Sequence, residues 1–546
     1  MTVHRNLILG SAAGLLAISG AHAADLPVKA KAVEYVRICS LYGAGFFYIP
    51  GTDTCLKLGG YLRVDTTFNG GAHGSPAWSG DLGQQDRYRN YFVGRSRMAL
   101  TVDTRTATEY GVVRTFGQAD FQFQTQGNST ANPASAAAVP TATAYFQNPG
   151  EGYVAVEFVF IQFAGFTFGK SASAYATPWH GYPGNNSSFL LGGHDTVTGV
   201  NNIQYTAQFG NGVSATIGLD DPVVFNRTAV YNLSAPLNTS VLGAAGAPSA
   251  FLGALGTQNN AYAGVHAPDV VGNIRIDQAW GLFQISGAAH EVNGSYNSLG
   301  ISGVPTGLAG PNPFGPSEPS GHPETKWGGS VMAALQIKNI PTGAGDDFKI
   351  DASFAKGDTK NVISTSSTSP SFAMFSGSTR AGAYQSVGFG ATSDAVYLPV
   401  IFGGTGDLKP TTAYGVRGAF NHNWDPYWSS SLFGGWSAVR YNGSSTDITT
   451  AKGQVCGAYI ASTGGLATKS ADFSCNPDFN VSQLGVVTRW TPVKNLTFSA
   501  EVMWFHLDQK FTGSATLTPT APKPQAVYEY KDQDTVSFNV RAQRNF

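Results

Sequence analysis

The sequence predicts an all-β fold, a sixteen-stranded antiparallel transmembrane β-barrel, on three observations. Segments of about ten residues alternate apolar and polar side chains, the period-2 signature of strands with one greasy and one polar face. These segments are joined in turn by tight turns and by long stretches rich in Gly, Ser, Asn, Thr and Pro, roughly 222 to 268, 294 to 325, 358 to 410 and 443 to 478. The alternation also runs to the last residue. In "TVSFNVRAQRNF", Val536, Phe538, Val540 and Ala542 share one face, Asn539, Arg541 and Gln543 the other, and the chain stops at Phe546. A soluble terminus is usually frayed and polar, and structureless loops of such length count against a compact soluble domain. Short turns at one rim and long loops at the other are what a membrane barrel has.

Composition narrows the class. Of 546 residues only 12% are charged, where roughly 25% is usual for a soluble protein. The 34 Phe, 23 Tyr and 9 Trp suit a surface that meets lipid, and the net charge of -1 excludes broad nucleic-acid binding, which needs an excess of Lys and Arg.

The elements follow in order. Residues 1–23 read as a cleavable secretory signal: Arg5 forms the basic start, Leu7 to Ile18 the apolar run, and Ala21 and Ala23 bracket His22. That run is too short to span a bilayer. Residues 24–55 are expected to form an N-terminal periplasmic segment carrying Cys39 and Cys55, and 56–546 the barrel. Cys39 with Cys55 and Cys456 with Cys475 are the disulfide candidates in an oxidising compartment, each pair able to close a short loop, although three pairings are formally open.

Strands are expected near 56–68, 89–104, 110–124, 151–163, 165–171, 201–209, 212–220, 270–279, 282–292, 326–338, 348–357, 412–424, 428–441, 481–491, 496–508 and 533–546. The hairpin "NNIQYTAQFGNGVSATIGLDD" shows the unit: Ile203, Tyr205, Ala207 and Phe209 on one face, a Gly210-Asn211-Gly212 turn, then Val213, Ala215, Ile217 and Leu219. Trp424, Tyr427, Trp428, Trp490 and Phe498 crowd the short turns and mark one rim. The even strand count returns both termini to the same side.

Resemblance adds to this reading. A final strand ending in Phe546 resembles the assembly signal of Gram-negative outer-membrane proteins, which implies recognition by the barrel-insertion machinery. The stretch "VEYVRICSLYGAGFFYIPGTDTCLKLGGYLRVDTTF", Val33 to Phe68, and "FIQFAGFTFGKSASAY", Phe160 to Tyr175, resemble alphaproteobacterial general-diffusion porins. That resemblance implies a homotrimer embedded in outer-membrane lipid, passing small hydrophilic solutes and ions. It also implies that the loop after the fifth strand, about 172–199, folds into the barrel as a constriction loop.

The expected pore constriction combines that loop with the facing wall. The loop contributes His180, His194 and one acid, Asp195. Pleat sends Arg63, Arg95, Arg97 and Arg114 inward from the first three strands, where rings of charge select ions. The competing reading makes these arginines filler of a wet lumen, paired with Asp65, Asp103 and Asp120. No cofactor is expected, no metal-ligand spacing occurs, and the Gly clusters "GAGFF" and "GGTGD" lack the context of a nucleotide site. No enzymatic activity is expected. The leading function is a passive outer-membrane porin. The alternatives are a barrel adhesin or receptor that binds a surface partner through its long loops, and a barrel hydrolase.

Overall fold

The computed structural model describes residues 37–87, 89–124, 152–195, 197–222, 226–233, 262–297, 318–364, 369–519 and 523–546. The expected signal and most of 222–268 and 294–325 lie outside these residues. Sixteen long strands follow one another around a barrel: β1 (Thr54–Phe68), β2 (Phe92–Thr108), β3 (Gly111–Gln124), β4 (Tyr153–Phe163), β5 (Phe166–Ser171), β6 (Val200–Gly210), β7 (Val213–Asp220), β8 (Asp269–Gln278), β9 (Gly281–Val292), β10 (Lys326–Lys338), β11 (Asp347–Lys356), β12 (Thr412–Asn423), β13 (Trp428–Arg440), β14 (Phe479–Val493), β15 (Leu496–Gln509) and β16 (Gln533–Asn545). Each pairs antiparallel with its sequence neighbour. β16 closes on β1 in the register Tyr61↔Asn545 to Phe68↔Phe538, so no sheet edge is left for lipid to satisfy. Phe546 extends the closure: its N–H donates to Gly60 O at 3.1 Å, and its carbonyl accepts from Gly60 N at 3.3 Å.

The pleat sorts the side chains as alternation requires. Leu58, Leu62, Val64, Phe92, Met98 and Leu100 are exposed on the outer face, while Asp65, Thr67, Arg95, Arg97 and Asp120 are buried on the inner one. The β6–β7 turn has Gly210, Asn211 and Gly212 all at positive φ, a conformation cheap for Gly and tolerable for Asn. Exposed Trp424, Tyr427, Trp428, Trp490 and Phe498 lie at the short turns. Trp428 stacks on Trp490 at 5.9 Å and Trp490 lies 5.7 Å from Phe498, as in an interfacial aromatic girdle.

Three features depart from simple alternation. Ahead of β1, Phe47–Tyr48 pairs with it and the Cys39–Cys55 disulfide ties Cys39 to it; β1 begins at Thr54, so Cys55 lies within it. In β4 the register with β3 slips, Gln118 pairing Phe158 and Ala119 pairing Val156. Glu157 is the extra residue of a β-bulge, and Glu157 and Phe158 both become buried.

The third departure is the long loops, expected as structureless. Much of 358–410 and 443–478 is ordered. Phe372–Ser376, Gln385–Gly390, Ala526–Tyr530 and Ser514–Leu517 form a four-stranded sheet, and Leu408–Pro410, Ala395–Tyr397 and Val230–Asn232 a three-stranded one. Helix α1 (Ala451–Ser462) is capped by the Thr450 side chain, which accepts from Gly453 N, and the Cys456–Cys475 disulfide anchors it. Phe372, Phe389, Tyr459, Phe511 and Tyr528 are buried in one apolar core that also takes in Val481, Phe505 and Leu507 from the barrel strands. The Gly, Ser and Thr between these aromatics masked the core in the sequence. The loops at this rim fold together as a cap.

Candidate functional site

The inner wall of β1–β3 carries charge in pairs. Arg95 meets Asp65 at 2.5 Å, and Asp65 also accepts from Arg541 of β16 at 2.5 Å. Arg97 meets Asp120 at 2.6 Å and lies 3.8 Å from Glu157. Arg114 meets Asp103 at 3.0 Å. Arg63 donates to Gln543 Oε1 at 2.8 Å, with its guanidinium 4.4 Å from the Tyr61 ring. The four arginines thus occupy the inner wall, and three of them sit against the acids Asp65, Asp120 and Asp103.

Residues 172–199, between β5 and β7's partner β6, hydrogen-bond to inward side chains around much of the barrel. At one end Asn273 and Gln284 donate to Ala174 O and Ala176 O at 2.6 and 2.8 Å. In the middle Glu501 of β15 accepts from Asn186 N and Ser187 N, and Arg541 donates to Asn186 O at 3.0 Å. Gln483 accepts from Leu191 N at 2.8 Å, and Arg417 donates to Leu190 O at 3.2 Å while ion-paired with Asp351 at 3.0 Å. At the far end Thr198 Oγ1 donates to Glu157, and Gly199 N to Glu157 O at 3.1 Å. Gly192 and Gly415 let backbone lie on backbone: a Cβ on Gly415 would stand 2.8 Å from Gly192 Cα, and one on Gly192 2.7 Å from Val416 O. Trp78 packs on Phe189 at 5.6 Å and on Phe372 at 5.2 Å, joining this segment to the cap core.

The expected loop residues part company. His180 is exposed in the wall of a cavity of about 540 Å³. His194 is buried, edge-on to Tyr175 at 6.0 Å; its Nδ1 has no hydrogen-bond partner among the described residues. Burial, reinforced by the Lys360 and Arg417 charges, holds His194 well below its ordinary pKa. Asp195 is buried too, its Oδ1 accepting from Val197 N at 2.9 Å, and the cations that feel its charge are Lys360 and Arg417. Among the described residues, no hydrogen bond or ion pair joins it to Arg63, Arg95 or Arg97.

A second cavity, of about 460 Å³, is lined by His73, Arg97, Glu157, Lys170, Phe189 and Thr198. Arg95 donates to His73 Nδ1 at 2.7 Å, and burial followed by the Arg95 and Arg97 charges holds His73 well below its ordinary pKa. The bulge puts Glu157 in the wall of this cavity and the next residue, Phe158, in the wall of the 540 Å³ one. Sequence reading passed over Glu157, Lys170, Arg417 and Glu501. Glu157 was detectable as a break of alternation in "AVEFVF", and Arg417 by its small inward neighbours Ala413, Gly415 and Ala419, which make room for something to pack on that wall.

Comparison with known proteins agrees with this architecture. A family model described as a porin subfamily matches residues 25–539. Porin Omp2b of Brucella suis and Porin Omp2b of Brucella abortus are each 37% identical over 221 residues, 40% of this chain and 53% of theirs. The chain thus spans about half the length of the curated relatives it matches. The outer membrane channel DcaP of Acinetobacter baumannii superposes with a TM-score of 0.52 at 13% identity, over 91% of this chain and 99% of that one. At that identity the likeness is one of fold.

Proposed function

The chain belongs to the porin subfamily whose model covers residues 25–539, and from that premise we propose that it forms a water-filled channel of the outer membrane for passive diffusion of small hydrophilic molecules and ions. The observation that carries the reading is a closed barrel with an apolar outer face, a polar inner wall, and two cavities bounded by 172–199. Segment 172–199 is read as a loop folded into the barrel that sets the pore width. Its bonds to Asn273, Gln284, Gln483, Glu501 and Arg541, all from strands, support this. The charges proposed to face permeating ions are Arg97, Glu157 and Lys170, which share one cavity, rather than Arg95, which lies beneath His73.

The channel performs no covalent chemistry in this reading. It works as a homotrimer, and the barrel-insertion machinery places it in the membrane by reading the strand that ends at Phe546. Reconstitution of the purified protein in a planar bilayer tests the proposal: stepwise, ohmic conductance is expected. Silence across a range of voltages would overturn it in favour of an adhesin or receptor, for which the folded cap supplies a surface.

A further inference from the structure

Lumen-facing positions of a water-filled barrel are expected to be polar. β3 and β4 break that pattern: Phe116, Phe158 and Phe160 line the 540 Å³ cavity from the inner wall, and Trp179 joins them from 172–199. Phe116 stacks on Phe160 at 5.3 Å with an interplanar angle of 27°, and Phe158 meets Phe116 edge-on at 6.5 Å. None of the four belongs to a buried apolar cluster among the described residues. Phe116 and Phe160 are half-buried and present open apolar faces to the cavity, whereas Phe158 and Trp179 are buried behind its surface.

The rest of that wall is polar but almost uncharged. Gln204, Thr206, Thr216, Asn273 and Gln284 supply amides and hydroxyls. Asn273 and Gln284 use N–H groups on loop carbonyls, Gln284 and the Gln204 Oε1 atom are buried, and Thr206 and Thr216, half-buried like Asn273, pair hydroxyl to hydroxyl at 3.0 Å, so hydroxyls and the Asn273 amide are the polar chemistry left open to the cavity. Arg275 is the single permanent charge of the lining, and it is paired with Asp277 at 2.9 Å and donates to Pro178 O. Arg114, whose guanidinium lies 5.2 Å from the Phe116 ring, is committed to Asp103 and Gln162. The volume of about 540 Å³ falls in the range of roughly 300–1,000 Å³ of small-molecule sites, which combine apolar walls with a few polar groups.

A solute that matches both walls has an apolar face and an edge crowded with hydroxyls, and carries no charge. A pyranose ring is such a solute: its C–H face stacks on an aromatic ring while its hydroxyls bond in the ring plane to amides and hydroxyls. We propose that this cavity is a saturable binding site for a neutral sugar ring, formed by Phe116 and Phe160, with the edge of Trp179 behind them, on one side and Thr206, Thr216 and Asn273 on the other. The proposal rests on the porin reading for its role in permeation, and the binding itself is testable without it.

The test adds glucose, maltose or the open-chain polyol mannitol to protein in a planar bilayer. Maltose and glucose are expected to lower single-channel current with saturation, and mannitol only in proportion to bulk conductivity. Trp179→Ala, a loop change that leaves the strands intact, and Phe116→Ala are each expected to raise the half-saturating sugar concentration about 10-fold, equivalent to about 1.4 kcal/mol. Heat-shifted gel mobility verifies that each variant is folded. Channels that conduct but respond identically to maltose and mannitol would overturn the sugar site and leave the porin reading standing. Stronger block by benzoate than by either sugar would also overturn it, assigning the cavity to aromatic carboxylates. If the protein conducts no current, the porin reading fails, and titration of tryptophan fluorescence in detergent decides the site alone: saturable change with maltose supports it, and none overturns it.

Discussion

At the scale of single residues, the inner wall shows that an arginine's pleat position does not by itself make it a selectivity determinant. Arg95 and Arg97 are both buried and ion-paired, Arg95 with Asp65, which it shares with Arg541, and Arg97 with Asp120, but only Arg97, together with Glu157, lines a cavity. Glu157→Gln is therefore expected to move the reversal potential toward anions, Arg97→Gln toward cations, and Arg95→Ser much less than Arg97→Gln. The shifts should shrink between 0.1 M and 1 M salt as the Debye length falls from about 10 Å to about 3 Å. A shift from Arg95→Ser as large as that from Arg97→Gln would contradict this ranking. His73 and His194 add a pH dependence of stability. Both are held well below the ordinary histidine value of about 6.5, so on acidification through that value the unfolded chain takes up protons that the folded one refuses. Stability is complete above pH 6.5 and declines below it, by at most about 1.4 kcal/mol per pH unit for each histidine. Melting in detergent at pH 7.5 and pH 5 should show the loss, and His194→Asn should reduce it.

Among the elements, segment 172–199 and the cap depend on contacts distant in sequence. Glu501 receives two backbone N–H groups of this segment, and leaving buried donors unsatisfied costs about 1–3 kcal/mol each. Glu501→Ala, or Gly192→Ala at the close approach to Gly415, is expected to loosen the segment and broaden the distribution of single-channel conductances; a distribution as narrow as the parent's would sink the assignment. The Cys456–Cys475 bond closes a short loop, with a sequence separation of 19, for which the chain-entropy model gives roughly 3 kcal/mol. Reduction should expose the chain around α1 to protease while β13 and β14 stay protected. Equal protection of both would show that packing by Tyr459 and Phe511 alone holds the cap.

For the whole molecule, closure by β16 governs both stability and assembly. Every barrel strand has two partners, so the fold should resist detergent until heated and run differently on a denaturing gel before and after boiling. Unchanged mobility would reject a closed barrel. Phe546 exchanges two backbone hydrogen bonds with Gly60, and its removal should lower the amount of protein reaching the outer membrane, read by surface labelling. Normal surface levels would remove Phe546 from any role in assembly.

The strand number, the faces of β1 and β2, the turn at Gly210–Gly212 and the closing strand were all legible in the sequence. Each follows from local chemistry: alternation places a side chain on lipid or lumen, and glycine permits a tight turn. The sequence likewise placed Arg63, Arg95, Arg97 and Arg114 on the inner wall, because pleat is periodic. It left open which of them face a cavity, since the partners Asp65, Asp120 and Arg541 come from different strands. The bulge at Glu157 reversed the pleat of β4 by one residue, and the cations that feel the buried charge of Asp195, Lys360 and Arg417, lie far along the chain. The cap core assembles from aromatics scattered among Gly, Ser and Thr, with no period to reveal it. Local alternation determined the barrel, and only tertiary contacts decided what fills it, because charge pairing and loop packing depend on which distant residues closure brings together.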